Sequence, residues 1–371
     1  MHPFGRFPGR TALDMAVYSV RAALADAGIT WDQVQQAVGG SYTIDNPDVI
    51  VSRLGQTGIP FLNVYNGCGT AGSALMTASN MIRLGECDIA VAVGLDKHEP
   101  GACAAFPEPY GLPAWYGDTG LFLTTKFFGM KINRYMHDPD ISPATLAKVA
   151  AKNFRNGERN DKAWRRKPLS EEVIAASATL NYPLTQYMFC GPDEGAAAVV
   201  LCRADRAKEY TDRAVRLRAA VLRTRRAGSY EVHQPWAGVT DAVSPTVDAA
   251  DAAYEMAGVG PEDIDIAQLQ DTDSGAEIIH MAETRLCRDG EQEAMINAGE
   301  TEISGRLPVN TDGGLMANGE PVGASGLRQV HEIVLQLRQE AGDRQVAKPP
   351  RTGLTQVYGA PGIAAVTILS T

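Results

Sequence analysis

The feature that most narrows what this chain can fold into is a match of the chain with itself. Residues 11–27 (TALDMAVYSVRAALADA) carry apolar side chains at helical spacing and run into Gly28, placed where a glycine ends a helix. Residues 246–257 (TVDAADAAYEMA) repeat the pattern and run into Gly258. The likeness continues past the helix. Ala27-Gly28-Ile29 and Trp31-Asp32-Gln33-Val34 answer to Ala257-Gly258-Val259 and Pro261-Glu262-Asp263-Ile264, at a constant offset of 258 − 28 = 230. A helix-to-strand connector of this type is common, so coincidence competes with duplication. A duplicated unit implies two pseudo-equivalent halves.

Short runs rich in Val, Ile and Ala supply the strands: 60–66, 88–94, 196–201, 264–269 and 363–369. Their alternation with helices predicts parallel sheet with crossover connections, an α/β fold. Residues 100–190 differ. Proline and aromatic residues cluster in FPEPYGLPAWYG, and 153–168 (NFRNGERNDKAWRRKP) is polar and basic, which predicts a lobe of loops set on the core. Within it, Arg165-Arg166-Lys167 reads as a solvated face or as a phosphate contact. The expected division is a first half over 1–220, including the lobe at about 100–190, and a second half over 221–371.

Composition excludes several function classes. With 44% hydrophobic residues the chain can bury a large core, and a net charge of −10 argues against a nucleic-acid binder. No run reaches a membrane span and MHPFGRFPGR has no signal-peptide core, so the cytoplasm is the expected location. Cys68, Cys87, Cys103, Cys190, Cys202 and Cys287 form no CxxC pair, which predicts neither a zinc site nor a disulfide framework. His2, His98, His137, His233, His280 and His331 show no metal spacing, and no metal is expected. His331 is expected to be structural.

Chemistry concentrates in 63–75 (NVYNGCGTAGSAL). A strand-like run ends in small residues around Cys68, and a helix is expected from about Gly72. Such a turn sets the thiol at a helix N-terminus, where the dipole favours a thiolate, and its glycines let a substrate approach the backbone. A buried structural cysteine is the competing reading.

Asn66-Gly67-Cys68-Gly69-Thr70-Ala71-Gly72-Ser73-Ala74-Leu75 resembles the nucleophile turn of thiolases, and 312–327 (DGGLMANGEPVGASGL) resembles that family's C-terminal signature. The stretch 305–342 is most similar to the branch of sterol-carrier-protein thiolases and lipid-transfer-protein aldolases. Cys190, followed by Gly195-Ala196-Ala197-Ala198, also sits at a recognisable place. The resemblance implies a five-layered αβαβα fold, a dimer sharing the strand at 58–66, and a coenzyme A thioester as substrate with no tightly bound cofactor. Families of this type open with a strand before the first helix, and MHPFGRFPG shows none, so this terminus is expected to be short or differently built.

The departures bear on mechanism. The signature's activating histidine is here Glu320, and Gln270 stands at a second histidine position. Gln356 and Tyr358 lie nearest the C-terminal proton shuttle. A carboxylate beside a thiol opposes thiolate formation. The expected catalytic set is therefore Cys68, Glu320, Tyr358 and Gln270 in one pocket: Glu320 as general base, Tyr358 as acid, Gln270 as donor to a thioester carbonyl. Gly69, Gly72, Asp271, Gly323, Ser325, Gln356 and Gly359 are the expected substrate-binding positions. This set suits retro-aldol cleavage of a bulky β-hydroxyacyl-CoA, steroid or other lipid. Relatives with that activity carry tyrosines where Gln270 and Glu320 stand, and pair with a small zinc-ribbon/OB-fold partner. The alternatives are an acyltransferase using Cys68 and a non-catalytic subunit of a complex.

Overall fold

A computed structural model of the chain describes residues 1–101, 106–139, 141–231 and 242–371. Cys103 and His233 lie outside the described residues.

The internal match is realised residue by residue. Helix α1 (Ala12–Ala27) starts at a capping box, in which Thr11 accepts from the Asp14 N–H and the Asp14 carboxylate answers to the Thr11 N–H. It stops at Gly28, whose φ of 68° only glycine adopts without strain. Its counterpart (Pro245–Ala257, α5 below) starts on a Ser244 cap and stops at Gly258 with φ 67°. Each then passes through one 3₁₀ turn, Trp31–Gln33 or Pro261–Asp263, into a strand.

The first half holds strands β1 (Gln36–Gly40), β2 (Phe61–Val64), β3 (Ile89–Lys97) and β4 (Glu194–Cys202), in the order β2-β1-β3-β4. The pairings β2–β1 and β1–β3 are parallel, and β4 runs antiparallel to β3. The second half holds β5 (Arg216–Thr224), β6 (Ile266–Leu269), β7 (Thr352–Gly359) and β8 (Ile363–Ser370), in the order β5-β8-β7-β6. Here β5–β8 and β8–β7 are antiparallel, and β7–β6 is the parallel pair. The expected division between residues 220 and 221 falls inside β5. Its pairing with β8 assigns all of Arg216–Thr224 to the second sheet.

Helix α2 (Thr70–Arg83) packs on β1 and β3 from one side and on β5 and β8 from the other. Helix α7 (Ser325–Leu337) likewise touches both sheets, so these two form the middle layer. Helix α1 covers the outer face of the first sheet and α5 that of the second, which completes αβαβα. The halves meet through bare backbone: a Cβ on Gly94 of β3 would stand 2.0 Å from the Gly323 carbonyl oxygen.

The segment 100–190 is not a lobe of loops. It contains α3 (Thr124–His137) and α4 (Pro143–Glu158), with a short ribbon at Thr179–Asn181 and Leu184–Thr185. Phe127, Phe128, Ile132, Leu146 and Phe154 enter the same core as α5 and the second sheet. The polarity of 153–160 misleads because Asn153, Asn156 and Asn160 are buried, with their amides donated to Asp271 and Glu277, to the Asn310 carbonyl and to the Asp312 carbonyl. Helix α6 (Ser274–Glu283) begins on an Asp273 cap and lies against α3 and α4.

Candidate active site

The turn between β2 and α2 is built by its own side chains. Thr70 Oγ donates to the Gly67 carbonyl at 2.6 Å and accepts the Asn66 N–H at 2.9 Å, while the Asn66 amide reaches Ser73 Oγ at 2.7 Å. Helix α2 starts at Thr70, two residues earlier than expected, with Gly69 as its cap and half-buried Cys68 just before it. The second half clasps this turn. A Cβ on Gly67 would come within 2.4 Å of the Ala360 carbonyl oxygen, and one on Gly359 within 2.6 Å of the Gly69 nitrogen. Gly359 and Gly69 thus serve the close approach of two backbones.

Glu320 enters where the chain leaves a left-handed Gly319 (φ 88°) and pairs with the 190–192 segment, its N–H on the Gly191 carbonyl at 2.9 Å. Its carboxylate is buried and doubly held. Gln270 Nε2 donates to Oε1 at 2.9 Å, and the Cys190 thiol donates to Oε2 at 3.3 Å. Burial, then the Glu320 charge, pushes the Cys190 thiol well above its ordinary value, so it stays protonated as the donor. Cys68 lies near enough for its charge to add to that shift. Cys68, Cys190, Glu320 and Gln270 therefore form one neighbourhood.

Gln270 spends its second amide hydrogen on Thr272 Oγ at 3.3 Å, and its carbonyl oxygen is buried without a partner among the described residues. Both hydrogens of the amide expected to serve a thioester carbonyl are thus taken by protein groups. Behind it, the side-chain oxygen of Gln356 receives the Gln270 N–H at 3.1 Å and its amide reaches Thr246. Asp271 accepts the Leu315 and Met316 N–H groups and the Asn153 amide. These two expected substrate contacts are engaged inside the protein. Gly72 backs onto Ala365, and Ser325 Oγ donates to the Val322 carbonyl at 3.3 Å.

Below the Glu320 turn lies a histidine that no sequence signal marked. His98 Nε2 accepts the Val322 N–H at 3.3 Å, and its neighbour Asp96 accepts the Gly323 N–H, the Ser41 hydroxyl and the Tyr42 and Thr43 N–H groups. Asp96 is held below the usual carboxylate range: burial opposes ionisation, and His98 and these donors outweigh it. Tyr42 packs on His98 and on the half-exposed Tyr65, whose phenol burial pushes up, with Cys68 adding to the shift. An aromatic rim thus flanks the thiol.

Tyr358 is not brought to Glu320. Its hydroxyl donates to buried Glu231, and Lys131 Nζ stands 5.1 Å from its ring. Burial raises the Glu231 carboxyl, whereas Glu283 beside Lys131 and His280 falls to about 2 despite its own burial. Phe128 links the two clusters, packing on Tyr358 and on Phe189, the residue before Cys190. Arg165, read as a possible phosphate contact, stacks on Trp164 and donates to the Met316 carbonyl at 3.0 Å. Among the described residues no group of His, Cys, Asp or Glu gathers as a metal site, and no helix is long and apolar enough to cross a membrane.

Family models agree with this layout. Residues 1–179 match the model described as "Thiolase, N-terminal domain", and 229–371 match "Thiolase C-terminal domain-like". The chain is 31% identical to sterol carrier protein 2 of Oryctolagus cuniculus over 96% of its length and 67% of that protein's. It is also 31% identical to acetyl-CoA acetyltransferase of Methanothermobacter thermautotrophicus, over 99% of this chain and 96% of the other. Identity to benzoylsuccinyl-CoA thiolase subunit BbsB of Thauera aromatica is 30%, over 88% of this chain and 84% of that subunit. Among solved structures, an Ltp2-ChsH2(DUF35) aldolase superposes with a TM-score of 0.86 at 22% identity, over 98% of this chain and 94% of that one. Human mitochondrial 3-ketoacyl-CoA thiolase gives 0.71 at 16% identity, over 100% and 96%.

Proposed function

The chain belongs to the thiolase family, and from that premise we propose that it cleaves a β-hydroxyacyl-CoA by retro-aldol chemistry, with Glu320 as the base. One observation carries the reading: the group at the family's activating position is a buried carboxylate, hydrogen-bonded directly by Gln270 and by the Cys190 thiol. A carboxylate has about four lone-pair sites, so two remain to take a hydroxyl proton in a site shielded from water.

The step balances within the substrate. Glu320 takes the β-hydroxyl proton, the O–H electrons become the carbonyl of the departing ketone or aldehyde, and the Cα–Cβ bond breaks. Its electron pair moves onto the thioester as an enolate, and the proton returns to Cα. The N-terminus of α2 beside Cys68 favours the developing negative charge. Because the amide hydrogens of Gln270 are used, its part is to position Glu320. The similarity to a structure titled as an aldolase supports the same reaction class, and that title's two components support a separate partner protein for this chain, of the small zinc-ribbon/OB-fold type that the sequence resemblance implies. A bulky lipid or steroid acyl chain is the proposed substrate class.

The half-buried thiol at a helix start favours the second reading, acyl transfer through Cys68. One assay separates them. Glu320→Gln is expected to lower turnover of a β-hydroxyacyl-CoA by ~10²–10⁴-fold, while Cys68→Ser stays within about tenfold of the parent. The reverse ranking, or an acyl group trapped on Cys68 and seen by mass spectrometry, would establish acyl transfer.

A further inference from the structure

Glu320 follows left-handed Gly319 and precedes Pro321, which has no N–H to give. The first backbone donors that can anchor the carboxylate from its C-terminal side are therefore those of Val322 and Gly323. Both are taken by side chains of the other half. The Val322 N–H goes to His98 Nε2 at 3.3 Å and the Gly323 N–H to Asp96, across 224 and 227 positions of sequence.

His98 is held as closely as the turn it holds. Its own N–H donates to the Asp193 carbonyl at 3.0 Å, and its carbonyl accepts from the Arg6 guanidinium. Arg6 also donates to the Pro192 carbonyl, beside the Gly191 carbonyl that takes the Glu320 N–H at 2.9 Å. Residues 191–193 thus fix Glu320 on one side and His98 on the other, and the imidazole closes the ring by gripping Val322. Asp96 Oδ2, 3.5 Å from Nε2, is already taken by Gly323. Only 6% of His98 and 7% of Glu320 is exposed, so water does not readily replace a lost partner here.

We propose that His98 is a positioning residue for Glu320: its Nε2, offered from the first half, pins the Glu320-Pro321-Val322 turn of the second and keeps the carboxylate aimed. The effect on turnover rests on the reading of Glu320 as the base, whereas the pin itself does not. A misplacement of about 1 Å in a reacting group can cost on the order of 10²-fold in rate, so even a slight release of the turn is read in kcat.

Three variants of the full chain separate the atoms of the ring. Gln carries polar atoms where Nε2 stands, Asn carries them where Nδ1 stands, and Leu carries none. Hydrogen exchange of the peptide covering 319–327, followed by mass spectrometry, reads the pin whatever reaction the site runs. His98→Asn and His98→Leu are expected to speed exchange at Val322 by about tenfold or more, and His98→Gln to keep it within about threefold of the parent. Either non-accepting variant suffices if the other fails to fold. With a β-hydroxyacyl-CoA, both should lose about tenfold in kcat with KM within about twofold, and His98→Gln should recover most of that loss. In a Glu320→Gln background, His98→Asn should cost nothing further. Parent-like exchange in the Asn and Leu variants would overturn the proposal. So would an additive loss in the double variant, or an equal loss of kcat in the Gln and Asn variants. Parent-like turnover by Glu320→Gln would instead defeat the base reading, and the exchange comparison would still decide the pin.

Discussion

Single side chains decide the chemistry and part of the acid–base behaviour. If Cys190 matters through its hydrogen bond to Glu320, Cys190→Ala should free one carboxylate oxygen and loosen the hold on that side chain. Turnover of a β-hydroxyacyl-CoA should fall by about tenfold while KM changes little, and Cys190→Ser, which keeps a donor, should restore it. Asp273 bears on stability. Burial lifts its carboxyl to about 7 although it caps α6 through the Gly275 and Ala276 N–H groups. Unfolded, the same carboxyl titrates near its ordinary 3.8. The native state therefore holds the extra proton between these values. Its contribution is full below about pH 4 and is lost as pH rises to about 7, roughly 4 kcal/mol at ~1.4 per unit. Denaturant titrations across that window should show the fall, and Asp273→Asn should flatten it while keeping the cap.

Elements explain what the sequence could and could not tell. The repeat at 11–34 and 246–264 was legible because capping residues, a left-handed glycine and a buried strand are local requirements. The nucleophile turn was legible for the same reason. The helices of 124–158 were not, since their polar residues are satisfied by partners more than a hundred positions away, such as Lys152 on Glu277 and Asn156 on the Asn310 carbonyl. The hydrogen bond of Tyr358 to Glu231 was not legible either, since no motif announces that partner. The glycine contact between β3 and the 323 turn yields a sharp expectation. Gly94→Ala would drive a methyl into backbone 2.0 Å away, so neither side can yield cheaply. A loss of about 3 kcal/mol or more, or failure to fold, is expected in urea melts.

At the scale of the whole molecule, the first sheet ends at β2, where Leu62 and Tyr65 are 43% and 54% exposed. An apolar edge strand beside the reactive turn is a natural place for a second copy. A dimer is expected, and Leu62→Lys should shift sedimentation at micromolar concentration toward the monomer. A parent chain that sediments as a fully active monomer would refute this.

The clasp of Gly359 and Ala360 over the Cys68 turn also orders events in time. A ribosome delivers the thiol early and its clasp almost three hundred residues later (359 − 68 = 291). Between those two points the nascent polypeptide carries the Cys68 thiol without the backbone that fixes its turn. A fragment that stops short of Gly359 holds the Cys68 turn from one half alone.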